Sequence, residues 1–263
     1  MPPRRVALGI AYRGSAYQGW QSQPGGQTVQ DRVEAALTAF ADRPLRCISA
    51  GRTDAGVHAI NQVVHFDTPV ERAEQAWIRG SNRYLPGDIA VQWCRFTAAG
   101  FHSRASALGR RYVYVLLESR VRPALEAGLV GWTFRRLDGA AMQGAARALL
   151  GTHDFSAFRS AECQAPTPVK TLRSLAIERR GDYWRFEFDA DAYLHHMIRN
   201  VMGCLVAVGS GLRDAAWLAE VLARRDRALA AATFAPDGLY FLGPYYDAGH
   251  GIPERTPAMS WLP

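Results

Sequence analysis

A short glycine-containing segment in the first quarter of the chain holds a carboxylate in a setting suited to chemistry. Asp54 lies between Arg52 and Gly56, and the small residues Ala55 and Gly56 would let a bulky ligand approach the backbone closely. A carboxylate so placed can act as a nucleophile. The tetrapeptide Thr-Asp-Ala-Gly on its own nevertheless favours a structural role, an Asx-turn. These residues alone therefore leave both interpretations open.

The histidines do not form a recognisable catalytic or metal-binding set. We interpret His58 as a loop residue that makes hydrogen bonds and His65 as a strand residue, and neither belongs to a triad. The adjacent His195 and His196 are expected to point in different directions on a helix. We therefore expect no metal site.

Composition narrows the class of protein. The chain has 263 residues, 48% hydrophobic and 21% charged, which excludes a disordered, collagenous or coiled-coil protein and allows one large domain or two small ones. No apolar run is long enough to span a bilayer, and residues 1–5 lack the apolar core of a signal peptide, so we expect a cytoplasmic protein. Without a Cys-x-x-Cys pair, neither a zinc knuckle nor a disulfide framework is expected from the four cysteines, Cys47, Cys94, Cys163 and Cys204.

Net charge suggests a polyanionic partner. Lysine and arginine total 31 against 24 acidic residues, giving +7 and a pI of about 9.5, and Lys170 is the one lysine. Guanidinium groups bind phosphate in a bidentate manner and stack on bases, which suits RNA. A GC-rich genome that encodes arginine in place of lysine explains the same composition, so charge alone does not decide.

The elements that would position Asp54 follow from hydrophobic periodicity. Alternation predicts strands and a three-to-four-residue repeat predicts helices, and Thr28 with Asp31 forms a capping box at the first helix. The resulting order is βαββαβ: a strand at 5–12, a helix from 28 to 41, strands at 45–49 and 62–66 flanking a loop at 50–59, a helix at 71–84 and a strand at 89–93.

The same order returns from residue 110, and its elements are a strand around 112–116, a helix at 138–150, a hairpin of 172–180 and 183–190, helices around 198–208 and 215–223, and a strand at 239–246. Each unit is shaped like the split βαβ or RNA-recognition arrangement, so we predict an α+β fold of two such halves with abutting antiparallel sheets. The predicted domains are 1–104 and 105–247, followed by a tail at 248–263. The turn Gly181-Asp182 replaces the loop 50–59 in the second half, so one chemical site per chain is expected.

The full string from Gly51 to Ala59 resembles the catalytic loop of the bacterial tRNA pseudouridine synthase A family. The resemblance spans about 6–246, departs slightly at Arg83-Tyr84, and does not include the tail. Further matching positions are Tyr12, Gly14, Tyr17, Gly19, Trp20, Gln21 and Gln23, Thr28 to Gln30, Gln62 to Phe66, Asn82, Leu85, Pro86, Asp88 and Ile89, Phe101 to Arg104, Arg111 and Tyr112, His153 to Phe155, Met197 to Asn200, and Gly238 with Leu239.

This resemblance implies an isomerase that detaches uracil from a tRNA ribose, turns the base and reattaches it through C5, without a cofactor. By the same resemblance the targets are uridines 38, 39 and 40 of the anticodon stem-loop, and the enzyme is a homodimer in which one tRNA touches both subunits. Asp54 matches the catalytic aspartate, which either attacks C1′ or takes a proton from C2′. Tyr112 matches the tyrosine that stacks on the base and is suited to removing the C5 proton. Arg199 matches the arginine paired with the aspartate, and Arg52 the arginine associated with base flipping.

Plainer interpretations remain open for these side chains. Without the resemblance, Tyr112 would be a core residue, Arg199 a solvated residue or a phosphate contact, and Arg52 a phosphate contact. Two other functions also remain possible at this point: a non-catalytic tRNA-binding or RNA-binding protein on the same scaffold, and a hydrolase that uses Asp54. A non-catalytic protein would have lost Asp54, which is present in this chain. A hydrolase needs a further acid or base, and none stands out in the sequence.

Overall fold

The computed structural model describes residues 3–254 as a mixture of α-helices and β-strands in two compact units. The first unit comprises 3–110 with 240–254, and the second comprises 111–239. Within 3–254, no helix combines the length and the apolar character that crossing a bilayer requires. The predicted tail 248–263 lies partly outside the described residues, at 255–263. The α+β fold class is confirmed.

The strands of the described residues are β1 (Arg4–Tyr12), β2 (Ile48–Ser49), β3 (His58–Thr68), β4 (Ile89–Thr97), β5 (Gly109–Glu118), β6 (Gly131–Thr133), β7 (Gly151–Asp154), β8 (Val169–Arg180), β9 (Tyr183–Ala190) and β10 (Leu239–Tyr245). The helices are α1 (Val29–Ala41), α2 (Glu74–Tyr84), α3 (Gly139–Ala146), α4 (Met197–Gly209) and α5 (Ala215–Arg224).

The sheet of the first unit is built around β1. This strand is antiparallel to β3 on one side and to β4 on the other, so that Val6 lies opposite both Phe66 and Phe96. β2 pairs with Val64 and His65 in the C-terminal half of β3, and β10 runs parallel to the beginning of β3. The predicted order βαββαβ is therefore confirmed for this unit.

Two helices cover this sheet through a shared aromatic contact. α1 begins with the predicted capping box, in which Thr28 and Asp31 each accept a hydrogen bond from the other's backbone N–H. The Trp77 ring of α2 is fully buried, 5.2 Å from the ring of Phe40 in α1 and 5.3 Å from that of Phe66 in β3. These edge-to-face contacts fix both helices against the strand that carries the candidate loop.

The strands of the second unit lie in the order β5-β9-β8-β7, with β6 parallel to β5. β8 and β9 form the predicted hairpin around Gly181, whose φ of +59° suits the tight turn. The Asp138 side chain accepts a hydrogen bond from the Ala141 N–H at 3.1 Å and thereby caps α3. The hairpin, α3, α4 and α5 therefore follow the sequence prediction.

The main differences from prediction concern contacts between residues distant in the chain. β3 begins at His58 rather than at residue 62, because His58 and Ala59 pair with Tyr240 and Phe241 of β10. α2 begins at Glu74 rather than at residue 71, and Ala73 is an exposed residue with an extended backbone. β10, placed by the sequence in the C-terminal half, thus adds to the sheet of the first unit.

Candidate active site

The segment 51–57, here called the Asp54 loop, connects β2 to its antiparallel neighbour β3. Its tip is a turn closed by the Val57 N–H, which donates to the Asp54 carbonyl oxygen at 3.1 Å. Gly56 has a φ of +81°, a conformation that favours glycine at this position of a turn. The backbone at Asp54 is therefore held by its own turn, with the Asp54 side chain partly buried.

The loop at residues 13–28, between β1 and α1, packs against the Asp54 loop. Gly19 has a φ of +84°, and a Cβ there would lie 2.6 Å from the Thr53 carbonyl oxygen. The Trp20 N–H donates to that same oxygen at 3.0 Å, and the Gly56 N–H donates to the Tyr17 carbonyl at 3.4 Å. Only glycine permits this close backbone approach, so the two loops form one packed layer.

The Thr53 side chain is fixed as well. Its hydroxyl lies 2.8 Å from the Tyr12 hydroxyl at the end of β1, and both residues are buried. Burial raises the pKa of Tyr12 above its ordinary value, so the phenol stays neutral. The residue immediately before Asp54 is thus held through both its carbonyl and its side chain.

The other end of the loop is held by Gly14 and His58. The Gly14 N–H donates to His58 Nδ1 at 3.0 Å, and a Cβ on Gly14 would lie 2.0 Å from the Val57 carbonyl oxygen. The His58 ring stacks on Tyr240 with centroids 4.5 Å apart. His58 therefore makes the predicted hydrogen bond, although it is the first residue of β3.

Three arginines surround the start of the Asp54 loop, and we call them the arginine cluster: Arg52, Arg104 and Arg110. Arg104 Nε donates to the Ser49 carbonyl at 3.3 Å, and Arg110 Nη2 donates to the carbonyls of Ala50 and Arg104 at 3.1 and 2.9 Å. Burial and then the charges of Arg52 and Arg110 lower the pKa of Arg104. The cluster places positive charge beside residues 49–52.

Two histidines, the buried His65 and the half-buried His102, support the segment that carries Arg104. His65 Nδ1 lies 2.9 Å from the Ser103 hydroxyl, and the His65 ring is 4.7 Å from that of His102. Burial, followed by the nearby charges of His102 and Arg5, lowers the pKa of His65 to about 4. His102 Nδ1 accepts from the backbone N–H groups of Arg104 and Ala105. These histidines act as structural supports, and His65 is the predicted strand residue.

Two other predicted site residues lie in the second unit. Tyr112 is in β5, 8% exposed, with its ring edge-to-face against Tyr193 at 5.1 Å. Arg199 is the third residue of α4, and its Nε donates to the Phe234 carbonyl at 2.9 Å. The Phe234 N–H donates in turn to the Arg199 carbonyl at 3.1 Å. These two hydrogen bonds therefore hold both the backbone and the side chain of Arg199 next to Phe234.

The expectation that His195 and His196 point in different directions on a helix is wrong. α4 begins only at Met197, and His196 precedes it with a left-handed backbone, φ 63°. This backbone brings the two rings together, with centroids 4.0 Å apart and planes 38° apart.

Several supporting residues have no role assigned from the sequence. Gly14, Gly19 and Arg104 belong to the family resemblance without an assigned role, and Tyr193 and Phe234 carry no sequence signal of their own. A glycine in a polar loop signals a tight turn or a close approach, but the sequence does not reveal its contact partner.

Comparison with known proteins identifies a matching family model and close relatives of this chain. The family model described as tRNA pseudouridine synthase matches residues 9–102 and 145–247. A tRNA pseudouridine synthase A from Methylibium petroleiphilum is 69% identical over 259 residues, covering 98% of this chain and 100% of the relative. The Polaromonas naphthalenivorans protein of that name is 61% identical over 263 residues, with the same coverage. A crystal structure of a Cbf5-Nop10-Gar1 complex is more distant, at 10% identity and a TM-score of 0.39 over 90% of this chain and 48% of that one.

The family match agrees with the motif around Asp54. So do the curated relatives, which align with nearly the whole chain. The chain belongs to the tRNA pseudouridine synthase A family.

Proposed function

We propose that this chain is an isomerase that converts uridine to pseudouridine in tRNA. The observation that carries the proposal is the Asp54 loop, which holds the family's catalytic motif with its backbone fixed at both ends by Thr53 and His58. Relatives that match along their whole length are named as tRNA pseudouridine synthases, so a non-catalytic RNA-binding role is not favoured. The proposed targets are uridines 38, 39 and 40, by family resemblance.

The reaction needs one anionic group and one proton acceptor. Asp54 either attacks C1′ of the ribose or removes the C2′ proton, and the bond between C1′ and N1 of uracil breaks. The base turns and C5 bonds to C1′, and in this step either the Asp54–C1′ ester bond breaks or Asp54 returns the proton to C2′. The C5 proton leaves while N1 gains a proton, so the product is an isomer of the substrate. Because the leaving base is retained and reused, the second carboxylate that a glycosidase needs to activate water is not required.

Tyr112 and Arg199 take the two supporting roles in this proposal. The Tyr112 ring, set by its edge contact with Tyr193, stacks on the uracil, and its hydroxyl handles the C5 proton. Arg199 pairs with Asp54 and favours the ionised carboxylate, since an opposite charge nearby stabilises the anion. Its hydrogen bond to the Phe234 carbonyl supports this role by restricting the guanidinium plane.

The arginine cluster is the proposed contact for the tRNA backbone, with Arg52 also assisting base flipping. Arg104 and Arg110 use some of their N–H groups on backbone carbonyls, and a guanidinium carries five N–H donors in all. Phosphates contacted here would position the strand, while the Asp54 loop acts on the nucleotide.

We propose in addition that the active form is a homodimer in the cytoplasm, where tRNA is modified. The dimer rests on the family resemblance. Exposed apolar side chains of one segment in the second unit are consistent with a partner surface for a second copy of the chain, namely Val121, Leu125, Trp132 and Phe134.

The function is tested by incubating the purified chain with an unmodified tRNA transcript and separating the nucleosides after digestion. We expect pseudouridine to appear, and to disappear when uridines 38–40 of the transcript are replaced by cytidine. Binding of tRNA without any product would support the non-catalytic alternative. Release of free uracil would indicate a hydrolase instead.

Tyr112→Phe keeps the stacking ring and removes the hydroxyl. We expect kcat to fall by a factor on the order of 10² to 10⁴, the range for loss of a general acid or base, with the Kd for tRNA unchanged. Tyr183→Phe, which removes a hydroxyl bonded to Glu126 in the same unit, is the matched control and should keep full activity. Single-turnover kinetics and a binding titration measure the two quantities. An unchanged rate would assign the proton transfer to another group.

Arg104→Gln tests the phosphate contact. The slope of log Kd against log salt should become shallower by about 0.7 for each phosphate that the variant no longer neutralises, the value for single strands. Arg72→Gln is the control, since Arg72 is an exposed arginine that donates to the adjacent Glu71 carbonyl. Binding titrations between low and moderate salt measure both. Equal slopes for the two variants would remove Arg104 from the tRNA interface.

A further inference from the structure

The segment 230–235 of the second unit lies against α4 with its backbone in close contact. The Ala231 N–H donates to Cys204 Sγ at 3.3 Å. A Cβ on Gly203 would lie 2.2 Å from the Ala232 carbonyl oxygen. A side chain at residue 203 would displace the segment, so the glycine lets 230–235 approach the helix closely.

A group of polar side chains holds the segment in place. Arg227 Nη2 donates to Asn200 Oδ1 and to the Thr233 hydroxyl, both at 3.1 Å, and the Thr233 hydroxyl donates to Asn200 Oδ1 at 2.7 Å. Arg227 Nη1 donates to the Ala231 carbonyl at 3.0 Å. Asn200 is fully buried, and its Nδ2 donates to the Phe158 carbonyl at 2.7 Å. We call Arg227, Asn200 and Thr233 the triad clamp.

The same segment is bonded to the strand that carries Tyr112. The Tyr114 hydroxyl donates to the Ala235 carbonyl at 2.8 Å, and the Tyr114 ring lies edge-to-face with Phe234 at 5.8 Å. Residues two apart in a strand share a face, so Tyr112 and Tyr114 lie on the same face of β5. The segment 230–235 therefore contacts both β5, which carries Tyr112, and α4, which carries Arg199.

The Phe234 carbonyl links the segment 230–235 to Arg199. It accepts the Arg199 Nε–H at 2.9 Å, and it follows directly after Thr233 of the triad clamp. Because the guanidinium is planar, fixing Nε restricts the orientation of the whole group. A shift of the segment would therefore turn the Arg199 guanidinium without changing its charge.

We infer that Arg227 is a positioning residue for the isomerisation: through Asn200 and Thr233 it fixes the Phe234 carbonyl, which orients the Arg199 guanidinium. The inference rests on the proposed function, in which Arg199 pairs with Asp54. Arg227 is half-buried, and two of its nitrogens donate to protein oxygens of Asn200, Thr233 and Ala231. Its role is to set the rate of the chemical step rather than to bind tRNA.

The test is a double-mutant cycle with Arg199→Lys, which keeps the charge and loses the guanidinium fork. Arg227→Gln alone should lower kcat by about 10-fold to 100-fold, the range for a small misplacement of a reacting group, with KM for tRNA unchanged. In the Arg199→Lys background, Arg227→Gln should change kcat by no more than about twofold, because the group it orients is gone. Arg224→Gln removes an exposed positive charge from the same region and should act like the wild type.

Multiplicative losses in the double variant would overturn the inference, since Arg227 would then act independently of Arg199. Full activity of Arg199→Lys would also overturn the inference, and would show that Arg199 does not have the role proposed for it. A wild-type chain that makes no pseudouridine would instead refute the proposed function itself.

Thr233→Val and Thr233→Ser keep the inference testable if Arg227→Gln does not fold. Valine has nearly the shape of threonine but cannot donate to Asn200, whereas serine can. We expect kcat to fall by about tenfold in Thr233→Val and to return to near the wild-type value in Thr233→Ser. Melting curves of both variants verify folding. Equal kcat values in the two folded variants would show that the hydrogen bond has no positioning role.

Discussion

The close approach of the Gly19 backbone to the Thr53 carbonyl is the constraint on which the candidate site depends. A side chain at residue 19 would collide with the Asp54 loop, and its φ of +84° is strained for any residue but glycine. The approach lets the Trp20 N–H reach the same carbonyl. The Thr53 carbonyl oxygen is therefore one point at which two loops from different parts of the first unit pack together.

Backbone carbonyls recur as the means of holding charged side chains in both units. Ser49 and Ala50 accept from Arg104 and Arg110, while Phe234 accepts from Arg199. A backbone carbonyl carries no net charge, so these hydrogen bonds orient the guanidinium groups without neutralising them. This arrangement suits a chain whose 31 basic side chains are almost all arginine.

Local sequence signals predicted the elements that depend on neighbouring residues. The capping box of Thr28 and the turn at Gly181 lie within a few residues of the contacts they make, so the helix and the hairpin were predictable. The start of β3 at His58 was not, because its partner is Tyr240. Likewise, the close contact between the rings of His195 and His196 depends on one left-handed residue. The motif around Asp54 could be identified from the sequence. That Gly14 and Gly19 support it could not, because their contact partners are known only from the three-dimensional structure.

The central claim is that the fixed loop serves to present the Asp54 carboxylate, and Asp54→Asn tests it most directly. Asparagine keeps the size of the side chain but cannot act as an anionic nucleophile or base. The assay follows tritium released from C5 of labelled uridine in tRNA, since C5 loses its hydrogen only when it bonds to C1′. We expect no release, unchanged tRNA binding, and a melting temperature within a few degrees of the wild type, about 1 kcal/mol or less. Turnover above a few per cent of wild type, in protein shown free of deamidation to aspartate, would contradict the claim.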